Sequence, residues 1–228
     1  MEECRLIPKL RDCALPEDAT VIINTEYGAF DNDRQILPVT PFDRQIDQQS
    51  VSPGSQIYEK MVAGLYIGET LRLILMTLHE QGKLFKGQEV TRLRQQNSLD
   101  ATLLSAAESK GLDDMKDEFK KRLSLSLDVN ELKICRYLIT LVATRAARLY
   151  ACGIAAICKK KNIQSCHVGV DGAVFNNYVG FKGRAVQGLR DIFDWPPGEP
   201  ELISLDASED GSGVGAALAA ALALRGEH

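Results

Sequence analysis

The sequence predicts an α/β fold, and three observations carry that reading. Segments of strand character alternate with helical patterns through the last third of the chain, and the longest helical pattern lies immediately ahead of them. The composition, 45% hydrophobic and 25% charged over 228 residues, is that of a globular core rather than of a disordered chain. No internal repeat, low-complexity tract or linker divides the chain, so one body is expected.

Taken in order, Thr20 to Phe30 carries Val21, Ile22 and Ile23 ahead of polar residues and Gly28, the pattern of a strand ending in a functional loop. Asp31 to Ser52 is polar and holds Pro38 and Pro41, which predicts an extended connection. One helix is then expected, entered at Ser52-Pro53-Gly54-Ser55, with apolar residues at Ile57, Met61, Leu65, Leu71, Ile74, Leu75 and Leu78, and stopped by Gly82. Phe85 to Ser126 is charged and weakly periodic and reads as a surface excursion with short helices near Gln88 to Arg94 and Asp113 to Arg122. From Val129 to about Lys160 a long helix is predicted, its stripe of Leu132, Cys135, Leu138, Ile139, Val142, Ala146, Leu149 and Gly153 crowded with small residues that admit close approach. The remainder reads as a strand, an Asp-Gly turn and a possible second strand (Cys166 to Tyr178), a helix (Phe181 to Phe193), a strand (Glu201 to Leu205) and a tightly packed alanine-rich helix (Gly213 to Arg225).

Charge excludes some functions. With 27 basic against 31 acidic residues the net charge is −4, which gives no footprint for nucleic acid, and the run Lys159-Lys160-Lys161 suits a helix C-terminus. Six cysteines (Cys4, Cys13, Cys135, Cys152, Cys158, Cys166) form no C-x-x-C pair and have no histidine at zinc spacing, so reduced thiols in a cytoplasmic protein and no metal site are expected. The opening residues lack a signal peptide's apolar core, and the longest apolar stretch, Val214 to Leu224, is too short to cross a bilayer, so no membrane association is expected. His79 suits a helix C-terminus, His167 reads as structural, and His228 ends the chain.

Four constellations carry candidate chemistry. Glu26, within Asn24-Thr25-Glu26-Tyr27-Gly28-Ala29-Phe30, places a carboxylate past a strand, where it can accept hydrogen bonds from ligand hydroxyls or simply be solvated. Gln56 and Glu59 are three apart and share one face of a helix's first turns, a plausible polyol clamp, although Glu59 also favours a helix N-terminus electrostatically. Glu209-Asp210-Gly211-Ser212-Gly213-Val214-Gly215-Ala216 follows a strand and opens a helix, a potential phosphate site. It is neither a Walker A loop nor a dinucleotide fingerprint, and a cap by Ser212 is the plain alternative. Thr144-Arg145-Ala146-Ala147-Arg148 lies mid-helix, where its arginines are most simply solvated or paired. Asp171-Gly172 signals a hairpin turn first and a nucleotide contact second.

In their order these segments resemble the hexokinase family, most closely the fungal hexokinases and glucokinases. The resemblance also takes in Ile7-Pro8-Lys9-Leu10, Tyr58-Glu59-Lys60-Met61 and Phe85-Lys86-Gly87, and so runs over essentially the whole chain. It implies an actin-like ATPase (ribonuclease H-like) fold of two lobes, of which residues 1–228 would be the large C-terminal domain and 213–228 a helix returning towards the small lobe. It further implies that Glu26, Gln56 and Glu59 bind sugar hydroxyls. Gly64, Leu65, Thr144, Arg145, Ala146, Ala147, Arg148, Ser212, Gly213, Val214, Gly215 and Ala216 would line the site of ATP, which enters with Mg²⁺ as co-substrate. The implied activity is ATP-dependent phosphorylation of a hexose, glucose foremost, at the 6-hydroxyl.

The family carries a glycine-rich phosphate loop, further sugar contacts and a catalytic aspartate upstream of the position that Met1 occupies here, so no catalytic residue is expected within this chain and the 228 residues alone are expected to be inactive. Phosphoryl transfer depends on positioning and charge stabilisation from both sides of a cleft, and general-base help alone contributes ~10²–10⁴-fold. Two further readings stand beside this one: a non-catalytic sugar-binding or regulatory protein that retains Glu26, Gln56 and Glu59, and a nucleotide-binding module using only the Gly211 to Gly215 turn.

Overall fold

The computed structural model describes residues 2–3, 7–10, 16, 20–196, 198–208 and 210–225; Cys4, Cys13, Glu209 and His228 fall outside them. Two short strands, β1 (Glu2–Glu3) and β2 (Thr20–Val21), pair antiparallel, and a single 3₁₀ turn (Tyr27–Ala29) follows. The expected strand thus stops at Val21, and Ile22 and Ile23 stand 83% and 42% exposed with no neighbouring strand to cover them among the described residues.

The expected extended connection contains a helix, α1 (Pro41–Gln49). Its cap is local: the Asp43 N–H donates to the Thr40 hydroxyl, the Thr40 N–H donates back to the Asp43 carboxylate, and Pro41 takes the first helical position, where its missing N–H costs nothing. The single helix expected from Ile57 to Gly82 is two, α2 (Ile57–Val62) and α3 (Gly64–Glu80), parted by Ala63 in extended conformation. Gly64 then lies against Val174, so close that a Cβ would collide with that side chain; tertiary packing sets the break.

The supposed surface excursion is core. α4 (Thr91–Arg94), α5 (Ala101–Ser109) and α6 (Leu112–Leu123) deliver Leu93, Leu103, Leu104, Met115 and Phe119 fully buried into the main hydrophobic cluster. Burial of each such side chain is worth roughly 1.5–3 kcal/mol. The charges that mask this pattern face solvent on the opposite sides of the same short helices.

α7 (Val129–Lys160) is the spine, capped by Asp128 and Glu131 in a capping box. It is long and apolar enough to cross a bilayer by length and composition, yet half of that stretch is buried inside the protein, and its most extensive packing is against α9 (Phe181–Phe193). β3 (Cys166–Val170) runs into α8 (Ala173–Asn177) rather than a second strand: the carbonyl of Gly172 accepts from the Asn176 N–H, and Phe175 is buried. β4 (Ile203–Ala207) pairs parallel to β3 with Cys166 opposite Ile203 and Val170 opposite Ala207, α8 and α9 forming the crossover. α10 (Gly211–Arg225) is helical as expected but not packed: Val214, Leu218 and Leu222 are about half exposed, at 52%, 59% and 47%.

Candidate functional site

Glu26, Gln56 and Glu59 line one pocket of about 340 Å³, together with Asn24, Thr25, Tyr27, Gly28, Tyr58, Val62 and Tyr150. Two of the three acceptors sit on strained backbone. Glu26 (φ 46°) and Gln56 (φ 54°) are both left-handed, a conformation non-glycine residues adopt rarely and at a cost of roughly 1–3 kcal/mol. Local bonds hold them there. Asn24 donates to the Glu26 carboxylate at 2.6 Å, and Gln56 stands at the N-cap of α2 with its carbonyl accepting from Lys60 N–H at 3.0 Å.

Gly28 permits the approach of the two loops. A Cβ there would lie 2.7 Å from Gln56 Oε1, 3.3 Å from Glu59 Cβ and 3.5 Å from Glu59 Oε2, so both α2 acceptors hang over a residue that has no side chain. Behind them a buried carboxylate organises the entry to α2. Asp47, on α1, accepts from Lys60 Nζ at 2.7 Å, from Gly54 N–H at 3.0 Å and from Arg34. Lys60 also donates to the Ser52 carbonyl at 2.7 Å, so the loop leading to Gln56 is tied to α1 at two points. The Asp31 carboxylate does the same for the preceding loop, accepting from the N–H groups of Gln35, Ile36 and Leu37.

Three phenols complete the pocket wall. Burial raises the pKa of Tyr27; burial and then the neighbouring Tyr27 raise that of Tyr58; and the same two causes push Tyr150 up to about 12. All three stay protonated at neutral pH, as apolar walls with a polar tip. Tyr58 is anchored: its hydroxyl donates to the Leu149 carbonyl and accepts from the Gly153 N–H at 3.0 Å, both on α7.

A second cleft, about 480 Å³, is lined by Gly64 and Leu65 at the start of α3, by Asp100, Thr102 and Ser105 around α5, and by Ala173, Val174, Asn177 and Tyr178. The β3–α8 junction links it to the start of α10, where a Cβ on Gly211 would come within 4.0 Å of Asp171 Oδ2. The helix cap there is Asp210 rather than Ser212: the Gly213 N–H donates to Asp210 Oδ1 at 3.3 Å and the Val214 N–H to the Asp210 carbonyl at 2.9 Å. Residues Ser212 to Ala216 are exposed. The segment Thr144 to Arg148 is not among the lining of this cleft. Arg145 forms a bidentate pair with Asp43 at 2.8 and 3.0 Å, Arg148 pairs with Asp191 at 2.6 Å, and Ala146 and Ala147 are in the core.

The chain as a whole is similar to known proteins. The family profile described as Hexokinase matches residues 1–222. The chain belongs to the hexokinase family. It is 49% identical to a hexokinase of Emericella nidulans over 99% of this chain and 47% of that protein, and 46% identical to hexokinase-2 of Candida albicans over 95% and 46%. Among solved structures, the hexokinase from Schistosoma mansoni complexed with glucose superposes with a TM-score of 0.80 at 35% identity, covering 92% of this chain and 47% of that one. The chain therefore spans about half the length of the hexokinases it matches, and its mixed helical body with a small parallel sheet corresponds to part of their actin-like fold.

Sequence reasoning missed several of the residues that shape both cavities. Tyr58 enters the sequence reading only within the motif Tyr58-Glu59-Lys60-Met61 and Tyr150 not at all, although Gly153, on the small-residue stripe of α7, hints that something approaches there. Asp100 to Ser105 fall in the stretch read as a surface excursion; the sole local signal is Asp100, whose carboxylate caps α5 by accepting from Leu103 N–H at 2.8 Å. Among the described residues no group of three or more His, Cys, Asp or Glu side chains is arranged to hold a metal ion.

Proposed function

We propose that this chain is the sugar-binding and nucleotide-binding portion of a cytoplasmic hexokinase that transfers a phosphoryl group from MgATP to the 6-hydroxyl of a hexose, glucose foremost. The observation that carries the reading is the convergence of Glu26, Gln56 and Glu59 on one pocket walled by protonated phenols. Carboxylates and an amide oxygen are acceptors matched to a neutral polyol, which offers donors around its ring. Charge-assisted hydrogen bonds of this kind are roughly twice as strong as neutral ones. The two carboxylates orient the sugar and Tyr150 and Tyr58 exclude water from one side, so that the reacting hydroxyl is presented outward.

The cleft bounded by Gly64, Leu65 and the β3–α8 junction suits the nucleotide, and through Asp171 the same junction adjoins Gly211, the residue that leads into Ser212 to Ala216. The Asp210 carboxylate covers the first turn of α10 and disfavours a phosphate there, whereas it would accept from ribose hydroxyls. Arg145, Arg148 and the alanines beside them then act by fixing α7 rather than by touching the nucleotide. Magnesium would come in on the triphosphate and supply charge neutralisation at the transferring group. The half-exposed apolar face of α10 supports its role as the element that packs towards the small lobe.

The 228 residues alone are proposed to bind hexose without turning it over, because the family's catalytic base and phosphate loop lie in the half of the relatives that this chain does not match. Titration calorimetry of the purified chain with glucose tests the reading: saturable binding that is lost in both Glu26→Ala and Glu59→Ala supports it, and unchanged binding in these variants sinks it. A coupled assay for glucose 6-phosphate adds the second arm, where a rate near that of an intact hexokinase would refute the division of labour.

A further inference from the structure

The sulfurs of Cys158 and Cys166 stand 3.9 Å apart. Neither is bonded, and they differ in access: Cys158 is 3% exposed in the last turn of α7, whereas Cys166, the first residue of β3, is half-buried. The connection between them is tied down at both ends. The Ile163 N–H donates back to the Cys158 carbonyl at 2.9 Å, and the Cys166 N–H donates to the Leu202 carbonyl at 3.0 Å. A disulfide needs the sulfurs to come to about 2.05 Å, a change that side-chain rotation and a small shift of this short connection can supply.

We propose that Cys158 and Cys166 are a peroxide-oxidisable dithiol that closes to an intramolecular disulfide, stapling the end of α7 to the head of β3. Cys166, the more accessible sulfur, attacks the O–O bond of a hydroperoxide as the thiolate. It becomes a sulfenic acid, and the departing oxygen takes a proton to leave as an alcohol or, from hydrogen peroxide, as water. Cys158 then gives up its proton, attacks the Cys166 sulfur and expels hydroxide, which that proton converts to water. Two thiols lose two electrons and two protons in total, and one peroxide is reduced. Burial, and next the neighbouring Cys166, push the Cys158 thiol up to about 11, which makes it the resolving partner rather than the first to react.

The position gives the bond a reach beyond its own turn. β3 leads directly to Asp171 and to Ala173 and Val174 on the wall of the second cleft, whereas the pocket holding Glu26 and Glu59 is lined by neither sulfur. Oxidation is therefore directed at the strand that carries the nucleotide-side cleft.

The test uses the full chain carrying Cys152→Ser, so that the exposed thiol of α7 cannot join two copies. After treatment with hydrogen peroxide and tryptic digestion without reductant, cleavage at Lys159, Lys160 and Lys161 separates the two cysteines, and only a disulfide keeps them in one species. The expected result is a Cys158–Cys166 linked peptide pair, lighter by two hydrogens than its reduced halves and dispersed by dithiothreitol. In Cys158→Ala, dimedone should trap a sulfenic acid on Cys166. The oxidised chain should also melt at a higher temperature than the reduced one, a difference absent from Cys166→Ser. Oxidation of the folded Cys152→Ser chain that yields no such pair, or that carries Cys166 on to a sulfinic acid with Cys158 untouched, overturns the proposal, and this outcome needs no substitution at either member of the pair.

Discussion

The hydroxyl of Tyr58 bridges two backbone groups of α7, accepting from the Gly153 N–H at 3.0 Å and donating to the Leu149 carbonyl, a donor and an acceptor that stand four residues apart on that helix. It locks α2, and so Gln56 and Glu59 on either side of Tyr58, to the spine of the molecule. A Cβ on Gly153 would lie 2.8 Å from Tyr27 Cε2 and 2.9 Å from Tyr58 Oη. Gly153→Ala should therefore cost about 1–3 kcal/mol of stability by overpacking and weaken glucose binding at least tenfold. Tyr58→Phe should cost only about 1 kcal/mol, because the Gly153 N–H and the Leu149 carbonyl it leaves behind can pair with each other along α7. Urea denaturation and calorimetry on the two variants check the order.

Gly28 offers a cleaner separation of binding from stability. It lies in the 3₁₀ turn of the candidate sugar pocket, outside the hydrophobic core, and an added methyl would meet Gln56 Oε1 at 2.7 Å and Glu59 at 3.3 Å. Gln56 Oε1 is the far end of a flexible side chain that can swing away, and the Glu59 Cβ contact needs a shift of only a few tenths of an ångström, so Gly28→Ala should move the urea midpoint little, by less than about 1 kcal/mol in stability. Glucose affinity should fall by an order of magnitude or more. A variant that binds as the parent does would mean that Gln56 and Glu59 do not contact the sugar from their observed positions.

What the sequence discloses follows from how local its cause is. α7 is legible because one apolar period persists over 32 residues, and the convergence of Glu26 with Gln56 and Glu59 is anticipated by the family's motifs rather than by any pattern of spacing. α1 was equally local, since Thr40, Pro41 and Asp43 form a cap, but proline and polar residues obscure it. The break at Ala63 and the turn of Asp171-Gly172 into α8 are not legible, because Gly64 meeting Val174 decides the first and burial of Phe175 against the core attends the second. The core role of Leu93 and Leu103 is hidden for a related reason, since α4 and α5 are too short to establish a period alone, and that of Phe119 because the charges around Leu112, Met115, Phe119 and Leu123 make α6 read as a surface helix. The exposed face of α10 defeats composition altogether, since an alanine-rich helix reads as packed whether or not its partner is in the same 228 residues.

The two glycines of α3 should respond differently to the same substitution. At Gly68 a methyl would fall on the carbonyl oxygen of Leu99 and lie 2.7 Å from its carbon and 3.0 Å from Asp100 Cα, all backbone. Gly68→Ala therefore has to push α3 away from the entry to α5, and a loss of about 3 kcal/mol is expected. At Gly64 the methyl would meet the Val174 side chain, with Ala101 at 3.5 Å, and both line the second cleft. Gly64→Ala should cost less stability and more affinity for an ATP analogue, read by fluorescence titration. Equal stability losses in the two variants would contradict the assignment of Gly64 to a yielding, ligand-facing surface.

Asp47 links stability to pH through the same assembly. Burial opposes its ionisation, but the hydrogen bonds from Lys60 and the Gly54 N–H, with the charges of Lys60 and Arg34, outweigh burial and hold the carboxyl below its ordinary value. A group depressed on folding contributes stability that is fully present above the unfolded carboxylate value of about 3.9 and is lost as pH falls through the lower folded value. The parent chain should thus lose part of its urea resistance between about pH 5 and pH 2, and Asp47→Asn should flatten that part of the profile. At neutral pH the same substitution leaves the Lys60 ammonium, 6% exposed, without its partner, and breaking a buried pair in this way costs about 3–5 kcal/mol. Because Lys60 adjoins Glu59 and Asp47 tethers the loop that ends at Gln56, glucose affinity should fall in parallel. If Asp47→Asn lost stability at pH 7 but kept the parent's affinity for glucose, the tether would be structural only, and the pocket would owe its shape to Tyr58 and α7.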